Sequence, residues 1–319
     1  MLLLRKTTGY LGVLPTRWRG HGTPATRARH PWRGASCFFE VETLTESWKK
    51  REEVVLYKYR SIGDEKEETL DPYLLKLLDG ELFLSDPKSF NDPFDGKFTF
   101  CAEGTDEEIA ADMRRRGQSD EWIEKTLRTN TREQIQERFF TNYDRYFDVI
   151  RIFCLSTSAT NKLMWSHYAE KHSGVCVGLE EVYINREPYL RIRPNQLNER
   201  IISTDSRLLP VLNVVYHESR PKPFNVLRDG AEDLRRFILT KSLDWSYECE
   251  VRVLAAKDAL LKNPLKMPQE QIKEIVFGLR SPKILRERLL SLMKGKNIEM
   301  YEIIENERNY TLEKRQIAI

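Results

Sequence analysis

The sequence predicts an α+β protein: a mixed, mostly antiparallel sheet core with flanking helices, a helical insertion and a C-terminal βαβ-like unit. Short β-branched and aromatic runs, typical of strands, recur between amphipathic stretches with a helical period. A highly charged segment at 105–148 has the pattern of two or three helices and interrupts the strands. A strand at 275–278, a helix at 282–293 and a strand at 298–304 give the βαβ-like order.

Composition limits the class of protein. The chain has 319 residues, of which 40% are hydrophobic and 32% charged, enough for a core under a polar surface. A net charge of +3 is too small to indicate a dedicated nucleic-acid-binding protein. The five cysteines are widely spaced and form no C-x-x-C, so neither a disulfide framework nor a zinc site is indicated. No apolar run approaches the roughly 18–20 residues of a membrane span, and we predict a cytoplasmic protein without a membrane partner.

Residues 1–39 differ from the rest of the chain. They contain seven Arg or Lys residues and no Asp or Glu. This composition fits a disordered basic extension, a mis-assigned start of the chain or an organelle transit peptide. We therefore expect the fold to consist of a single α+β domain over 50–319, with the helical insertion at about 105–148.

Local signals place the elements of the first half. The helix that follows the first strand has Asp71 as N-cap, Pro72 in its first turn and Gly80 just past its end. Turn-forming residues dominate 87–95. The predicted strands and helices up to residue 179 are a strand at 54–60, a helix from 72, a strand at 82–85, the helical segment at 105–148, a strand at 152–158, a helix from about 161 to 174 and a strand at 175–179.

The second half has weaker patterns until residue 212. Residues 186–210 are rich in Pro, Arg and Asn and predict loop and irregular strand. A strand at 212–217 and a helix near 231–241 follow. The chain then enters a strand at Glu248, from which polar and apolar residues alternate up to Val253.

That alternation places three charged side chains on one predicted strand face: Glu248, Glu250 and Arg252. Two carboxylates about 7 Å apart can share a ligand or divide the roles of acid and base. A solvated strand face with a cross-strand ion pair is the simpler interpretation of this pattern.

Four motifs are spread along the chain. They are Tyr57-Lys58-Tyr59-Arg60, Ser89-Phe90-Asn91-Asp92-Pro93-Phe94-Asp95, Leu163-Met164-Trp165-Ser166-His167-Tyr168-Ala169 with Gly174, and Trp245-x-Tyr247-Glu248-x-Glu250-x-Arg252. Together they resemble a bacterial family of unknown function that is often encoded near phage-defence genes. The resemblance covers about residues 54–280 and implies a role in defence without supplying an activity.

A looser resemblance supplies an activity. Arg60, Ser156-Thr157-Ser158 and Glu248-Cys249-Glu250 occur in the order of the Arg, S-T-S and E-x-E motifs of ADP-ribosyltransferases. The resemblance implies that NAD is the substrate and that Arg60 binds its pyrophosphate or ribose. It also implies that Ser156 positions the glutamate, that Glu250 binds the ribose 2′-OH, and that Glu248 orients or deprotonates an acceptor. The motifs lie further apart here than in compact members of that family.

Aromatic residues near these motifs are candidates to stack on nicotinamide: Tyr57, Tyr59, Trp165 and Tyr168. His167 is a candidate catalytic residue, although a helix-borne His beside Trp and Tyr is more often a hydrogen-bonded core residue. We expect Arg60, Trp165, His167, Tyr168, Glu248 and Glu250 to converge in one pocket and no metal to be required. The acceptor would be a macromolecule, either protein or nucleic acid.

Two other functions remain open at this point. Asn91, Asp92 and Asp95 could bind a cation together with Glu248 and Glu250 in a metal-dependent nuclease, although Asx turns are the simpler interpretation of that loop. A non-catalytic sensor or scaffold of a defence system could instead bind a nucleotide without turnover. An enzyme should gather its charged residues in one concave pocket, whereas a scaffold can leave them in ion pairs along the sheet.

Overall fold

A computed structural model of the protein describes residues 54–143, 150–198 and 206–318. The predicted basic extension at 1–39 and the end of the predicted helical insertion lie outside these residues. Within them the architecture is α+β, as the sequence predicts.

A ten-stranded sheet forms the core. Within the described residues the strands are β1 (Val55–Arg60), β2 (Gly63–Asp64), β3 (Thr69–Leu70), β4 (Glu81–Leu82), β5 (Phe100–Cys101), β6 (Ile150–Ser156), β7 (Val175–Glu180), β8 (Val182–Ile184), β9 (Glu187–Arg191), β10 (Leu208–Asn213), β11 (Val215–His217), β12 (Phe224–Asn225), β13 (Thr240–Ser242), β14 (Glu250–Ala256), β15 (Leu265–Lys266), β16 (Ile272–Phe277), β17 (Glu299–Glu305) and β18 (Leu312–Gln316). The order in the large sheet is β18-β17-β16-β7-β1-β6-β14-β10-β9-β8. Its neighbouring strands are antiparallel except for β16 and β17, which confirms a mixed, mostly antiparallel sheet.

The helices cover both faces of this sheet. They are α1 (Pro72–Leu78), α2 (Asp106–Arg115), α3 (Asp120–Thr129), α4 (Arg132–Tyr143), α5 (Lys162–Tyr168), α6 (Arg235–Ile238) and α7 (Lys283–Met293). Helix α1 begins as predicted, because the Asp71 carboxylate accepts the N–H of Leu74 at 2.8 Å and Pro72 needs no partner in the first turn. Helix α7 connects the parallel strands β16 and β17 and completes the predicted βαβ unit. None of the described helices combines the length and the apolar composition that a membrane crossing requires.

Strand alternation gives each face of the sheet its own core. On one face, Leu56 and Val253 pack with residues of α1 and α7, such as Leu74 and Leu285. On the opposite face, α5 places Trp165 in a smaller cluster with Tyr59, Cys176 and Val276. The candidate site lies on this second face, beside α5.

Three helices, α2 to α4, lie in the segment where the sequence predicts a helical insertion. Their buried residues Ile109, Ile123 and Ile135 form a separate cluster with Phe224 and Phe237. The short parallel pair β5–β12 contributes to this cluster, since Phe224 on β12 belongs to it and Phe100 on β5 packs against it.

The chain between residues 208 and 248 differs from the sequence prediction. The strand predicted at 212–217 is divided between β10 and β11. The helix predicted near 231–241 ends at Ile238, and β13 follows it. Strand β13 pairs with β11 in parallel, and this pairing fixes the backbone of Lys241 beside Tyr216. Propensity alone misses this strand because it is stabilised by a distant partner.

Candidate functional site

Glu248 and Glu250 do not share a pleated strand, which corrects the sequence prediction. The chain forms a 3-10 helix over Leu243–Glu248, and β14 begins only at Glu250. Cys249 between them has a left-handed backbone with φ of +45°. This turn still brings the two carboxylates together, because both lie against the ammonium of Lys241.

Five buried ionic side chains form what we call the charge cluster: Asp95, Lys241, Glu248, Glu250 and Arg252. The Arg252 guanidinium donates to Glu250 from Nε at 2.9 Å and from Nη2 at 3.0 Å. It also donates to Asp95 at 2.9 and 2.5 Å, and to the carbonyl of Ile238. Lys241 Nζ lies 3.4 Å from Glu250 Oε2 and 3.6 Å from Asp95 Oδ2. Each buried charge therefore lies beside an opposite charge, as buried ionic groups require.

Electrostatics distinguish the two glutamates. Burial opposes ionisation of Glu250, but Arg252 and Lys241 outweigh it and lower the pKa of Glu250 to about 2. Burial also works against the charge of Lys241, yet Glu250 and Glu248 raise its pKa well above the usual value. Glu250 is therefore held ionised as part of the cluster.

Glu248 lies at the edge of the charge cluster that faces α5. Its Oε2 accepts from Lys241, and its Oε1 accepts from the Tyr168 hydroxyl at 2.5 Å. The same hydroxyl accepts from Asn91 Nδ2 at 3.0 Å. Burial raises the pKa of Glu248, in opposition to Lys241 and to the Tyr168 hydrogen bond. A carboxylate with a raised pKa is a better proton acceptor than an ordinary one.

Four partly exposed rings surround this edge and form what we call the aromatic rim: Trp245, Tyr247, His167 and Tyr168. Neighbouring ring centroids lie 6.0 Å apart for Trp245 and Tyr247, 6.0 Å for Tyr247 and His167, and 6.4 Å for His167 and Tyr168. Lys241 Nζ lies 4.8 Å from the centroid of the Trp245 ring. The rim therefore offers flat apolar surfaces next to a carboxylate and an ammonium.

Ser156 supports the backbone of this site. Its hydroxyl donates to the carbonyl of Glu248 at 2.7 Å and accepts the N–H of Ser158 at 3.2 Å. The N–H of Thr157 donates to the carbonyl of Cys249 at 3.0 Å. The predicted S-T-S motif thus contacts the main chain of the predicted E-x-E motif, on either side of the left-handed residue.

The structure does not bring Arg60 together with Glu250, which corrects the expected convergence. Ser156 is the register partner of both Tyr57 on β1 and Glu250 on β14, so these three side chains share a face. Arg60 is three residues beyond Tyr57 and points to the other face. There its guanidinium carbon lies 6.0 Å from the ring centroid of Tyr73.

The other aromatic candidates differ in their access to the site. Trp165 is fully buried, and its Nε1 donates to the carbonyl of Ala159 at 2.7 Å. Tyr59 packs edge-on against it with centroids 5.1 Å apart. Tyr57 lies 3.4 Å from Lys314 Nζ through its hydroxyl, in a separate group further along the sheet. Of the four predicted stacking residues, Tyr168 is the one that belongs to the aromatic rim.

The loop before β5 contains an Asx turn at Asp92 and supplies Asp95 to the charge cluster. Asp92 Oδ1 accepts the N–H of Phe94 at 2.8 Å, as in an Asx turn, while its buried Oδ2 has no hydrogen-bond partner among the described residues. Asp95 is held by Arg252 and does not face solvent. Within 54–143, 150–198 and 206–318, no group of three or more His, Cys, Asp or Glu side chains has an arrangement that could hold a metal ion.

Sequence reasoning missed Lys241, the central cation of the site. No local pattern marks it, because it lies on a three-residue strand that the sequence predicts as helix. Trp245 and Tyr247 belong to the Trp245-x-Tyr247-Glu248-x-Glu250-x-Arg252 motif, which by itself indicates no function for either ring. Their spacing of two residues, just before Glu248, is the signal that could have identified them.

A family model matches part of the chain. The chain matches no curated protein and no solved structure. The model of the family DUF2971, which is described as "Protein of unknown function", matches residues 164–253. This segment runs from α5 into β14 and contains Lys241, Glu248 and Arg252. Residues 164–253 thus match a domain of unknown function, in agreement with the resemblance to a bacterial family of that kind.

Proposed function

We propose that the aromatic rim and Glu248 bind NAD or a related nucleotide and that the protein transfers or releases ADP-ribose. The observation that carries this proposal is the position of Glu248. Its carboxylate lies between the Lys241 ammonium and the Tyr168 hydroxyl, at the base of four partly exposed rings. A flat cationic ring such as nicotinamide is attracted both by aromatic faces and by a nearby carboxylate.

The reaction in this proposal has a simple balance. The bond between nicotinamide N1 and ribose C1′ breaks, and its electron pair leaves with nicotinamide, which becomes neutral. Positive charge develops on the ribose, and the Glu248 carboxylate stabilises it. An oxygen or nitrogen of the acceptor, or water, then forms a bond to C1′, and Glu248 accepts the proton that this group loses.

Glu250 has a positioning role in the proposal. Both of its oxygens are bound by Arg252, so its carboxylate is committed to holding the charge cluster in place. The resemblance to transferases assigns ribose binding to Glu250, and we assign it to Glu248 because Glu248 lies at the rim. The protein would act as an effector in defence or as a toxin by modifying a protein or nucleic acid.

The proposal is tested by incubating the full chain with NAD, alone and with protein, RNA or DNA, and measuring free nicotinamide. Glu248→Gln should lower the rate of release by about 100-fold or more, because general-base catalysis contributes at least that much. Glu124→Gln, an exposed carboxylate on α3, is the matched control and should leave the rate unchanged. Equal rates for Glu248→Gln and the parent chain would contradict the proposal.

A second candidate function is a nucleotide-binding sensor or scaffold without turnover. The burial of Asp95 and Glu250 against Arg252 favours it, because two of the three carboxylates are already neutralised. Quenching of the fluorescence of the partly exposed Trp245 by NAD, with no release of nicotinamide, would support the sensor over the enzyme.

A further inference from the structure

A cavity lies beside α5, and none of its lining residues belongs to the aromatic rim or to the charge cluster. It has a volume of about 610 Å³, and its lining residues come from the start of α5, the loop with His172, the residues after β16 and the hairpin between β17 and β18. Volumes of this size are typical of sites for small molecules. Its lining includes Lys162, Arg280, Arg308, Glu305, Glu307 and Tyr310. Because this lining shares no residue with the charge cluster or the aromatic rim, we treat the cavity as distinct from the candidate site above.

The three cations of this cavity are free to bind an anion. None of Lys162, Arg280 and Arg308 forms an ion pair with a carboxylate in the described part of the chain. Lys162 Nζ donates to the backbone carbonyl of Tyr310 at 3.3 Å, which directs the ammonium toward the hairpin. Elsewhere the described chain pairs many of its arginines, including Arg286 and Arg315 on Glu302 of the adjacent strand. Unpaired cations in one cavity indicate an anionic ligand.

The backbone around the cavity is preformed. The Asn306 side chain accepts the N–H groups of Arg308 and Asn309, both at 2.8 Å, and this fixes the tip of the hairpin. His172 has a left-handed backbone with φ of +74°, and its carbonyl accepts the N–H of Arg280 at 2.9 Å. Preformed positions reduce the entropic cost of ligand binding.

His172 adds an unsatisfied polar group to the wall of the cavity. Its buried Nδ1 has no hydrogen-bond partner among the described residues. Burial and the neighbouring Arg280 lower the pKa of His172, which favours the neutral ring. A neutral imidazole nitrogen can donate to or accept from a ligand, and a bound hydroxyl would satisfy it.

We propose that this cavity binds a nucleotide-sized organic phosphate. Lys162, Arg280 and Arg308 bind the phosphates, and Glu305 or Glu307 accepts hydrogen bonds from ribose hydroxyls. Tyr310, which is 96% exposed at the hairpin tip, stacks on the base. The three cations and the two carboxylates give the cavity a net charge of +1. A simple anion should therefore bind more weakly than an organic phosphate whose hydroxyl groups also donate to the carboxylates.

Isothermal titration calorimetry of the full chain with ATP and with inorganic pyrophosphate tests this site. The parent chain should bind both, and Arg280→Ala or Arg308→Ala should weaken binding of each by about tenfold or more. Tyr310→Ala should weaken ATP by roughly twofold to tenfold and leave pyrophosphate unchanged. Arg128→Ala, which removes an exposed arginine from α3, is the matched control and should bind like the parent.

Three results would overturn the proposal: no binding of either probe at millimolar concentration, unchanged binding in Arg280→Ala and Arg308→Ala, or equal weakening in Arg128→Ala. The proposal does not depend on the function of the aromatic rim. Glu248→Gln should leave ATP and pyrophosphate binding at this cavity unchanged, so the two proposals can fail separately.

Discussion

Arg252 binds Glu250, its neighbour two residues earlier on the same strand face, through two hydrogen bonds of 2.9 and 3.0 Å. The pair is buried, and Arg252 has no exposed surface. A solvated ion pair on a strand face, the simpler expectation from the sequence, would have left both residues in water. Burial instead makes the pair part of the charge cluster, which reaches Glu248 through Lys241.

Removing Arg252 should strongly destabilise the protein. Arg252→Met leaves Asp95 and Glu250 buried without their main cation, and loss of one partner of a buried pair costs about 3–5 kcal/mol. Urea unfolding measures the change in the free energy of unfolding. Arg114→Ala, from an ion pair in which both side chains are mostly exposed, should cost at most about 1 kcal/mol. Equal effects of the two changes would contradict the structural role of Arg252.

The charge cluster should make stability depend on pH in the acid range. A carboxyl whose pKa is lower in the folded protein stabilises the fold above its unfolded pKa, and this contribution is lost as the pH falls through the folded pKa. Glu250, with a folded pKa of about 2, should contribute on the order of 3 kcal/mol at neutral pH and lose it between about pH 4.5 and pH 2. The raised pKa of Glu248 acts in the opposite sense, because its protonated form is favoured in the folded state.

Urea unfolding at a series of pH values, for the parent chain and for Glu250→Gln, separates these effects. The parent should lose more stability than the variant as the pH falls from about 4.5 to 2. Parallel curves for the two proteins would show that Glu250 is not held ionised.

The Tyr168 hydroxyl should contribute measurably to stability through Glu248. Tyr168→Phe removes a hydrogen bond to a charged group, a type that contributes about 1.5–3 kcal/mol, and we expect the lower end because Tyr168 is only half buried. Thermal unfolding gives the difference. Tyr310→Phe removes the same hydroxyl from a fully exposed ring and should have no effect. A loss no larger than that of the control would exclude a significant bond to Glu248.

The left-handed backbone of Cys249 predicts a clear order of substitutions. Cys249→Gly should be neutral or slightly stabilising, whereas Cys249→Val should cost about 1–2 kcal/mol, because β-branched residues are strained at positive φ. Chemical unfolding of both variants tests this order. A tolerated valine would mean that the turn between Glu248 and Glu250 is not required.

The position of Arg60 differs from the one that the resemblance to ADP-ribosyltransferases implies. Because Arg60 lies on the other face of the sheet, Arg60→Ala should show the same affinity for NAD and the same release of nicotinamide as the parent chain under the proposed function. Equilibrium titration with NAD measures the first, and free nicotinamide the second. A tenfold loss of affinity would show that Arg60 does reach the ligand.

Much of the fold was predictable because its signals are local. Asp71 and Pro72 mark the start of α1, and the apolar run at 175–179 identifies β7 as a buried strand. The segment around β13 was not predictable, since Thr240–Ser242 is a strand only through its pairing with β11. Short strands of this kind depend on tertiary contacts rather than on propensity.

The candidate site was predictable only in part, namely where sequence motifs mark its residues. Motif order identified Glu248, Glu250 and Tyr168 as candidates, and these residues do lie close together. Alternation along β1 places Arg60 and Tyr57 on opposite faces, but excluding Arg60 from the site also needs the register of Tyr57 with Ser156, which the sequence does not give. The sequence could not identify Lys241 as a site residue, because only the folded chain places its ammonium beside the carboxylates of Glu248 and Glu250.

The charge cluster also sets a condition on synthesis of the protein. Asp95 precedes Arg252 by 157 residues, so its carboxylate has no cation until most of the chain has been made. At about 5–20 residues per second, the ribosome takes roughly 8 to 30 s to cover that interval. A nascent or truncated chain that ends before β14 therefore carries an unassembled charge cluster, and the chemistry proposed for Glu248 would begin only after translation has passed the end of β14.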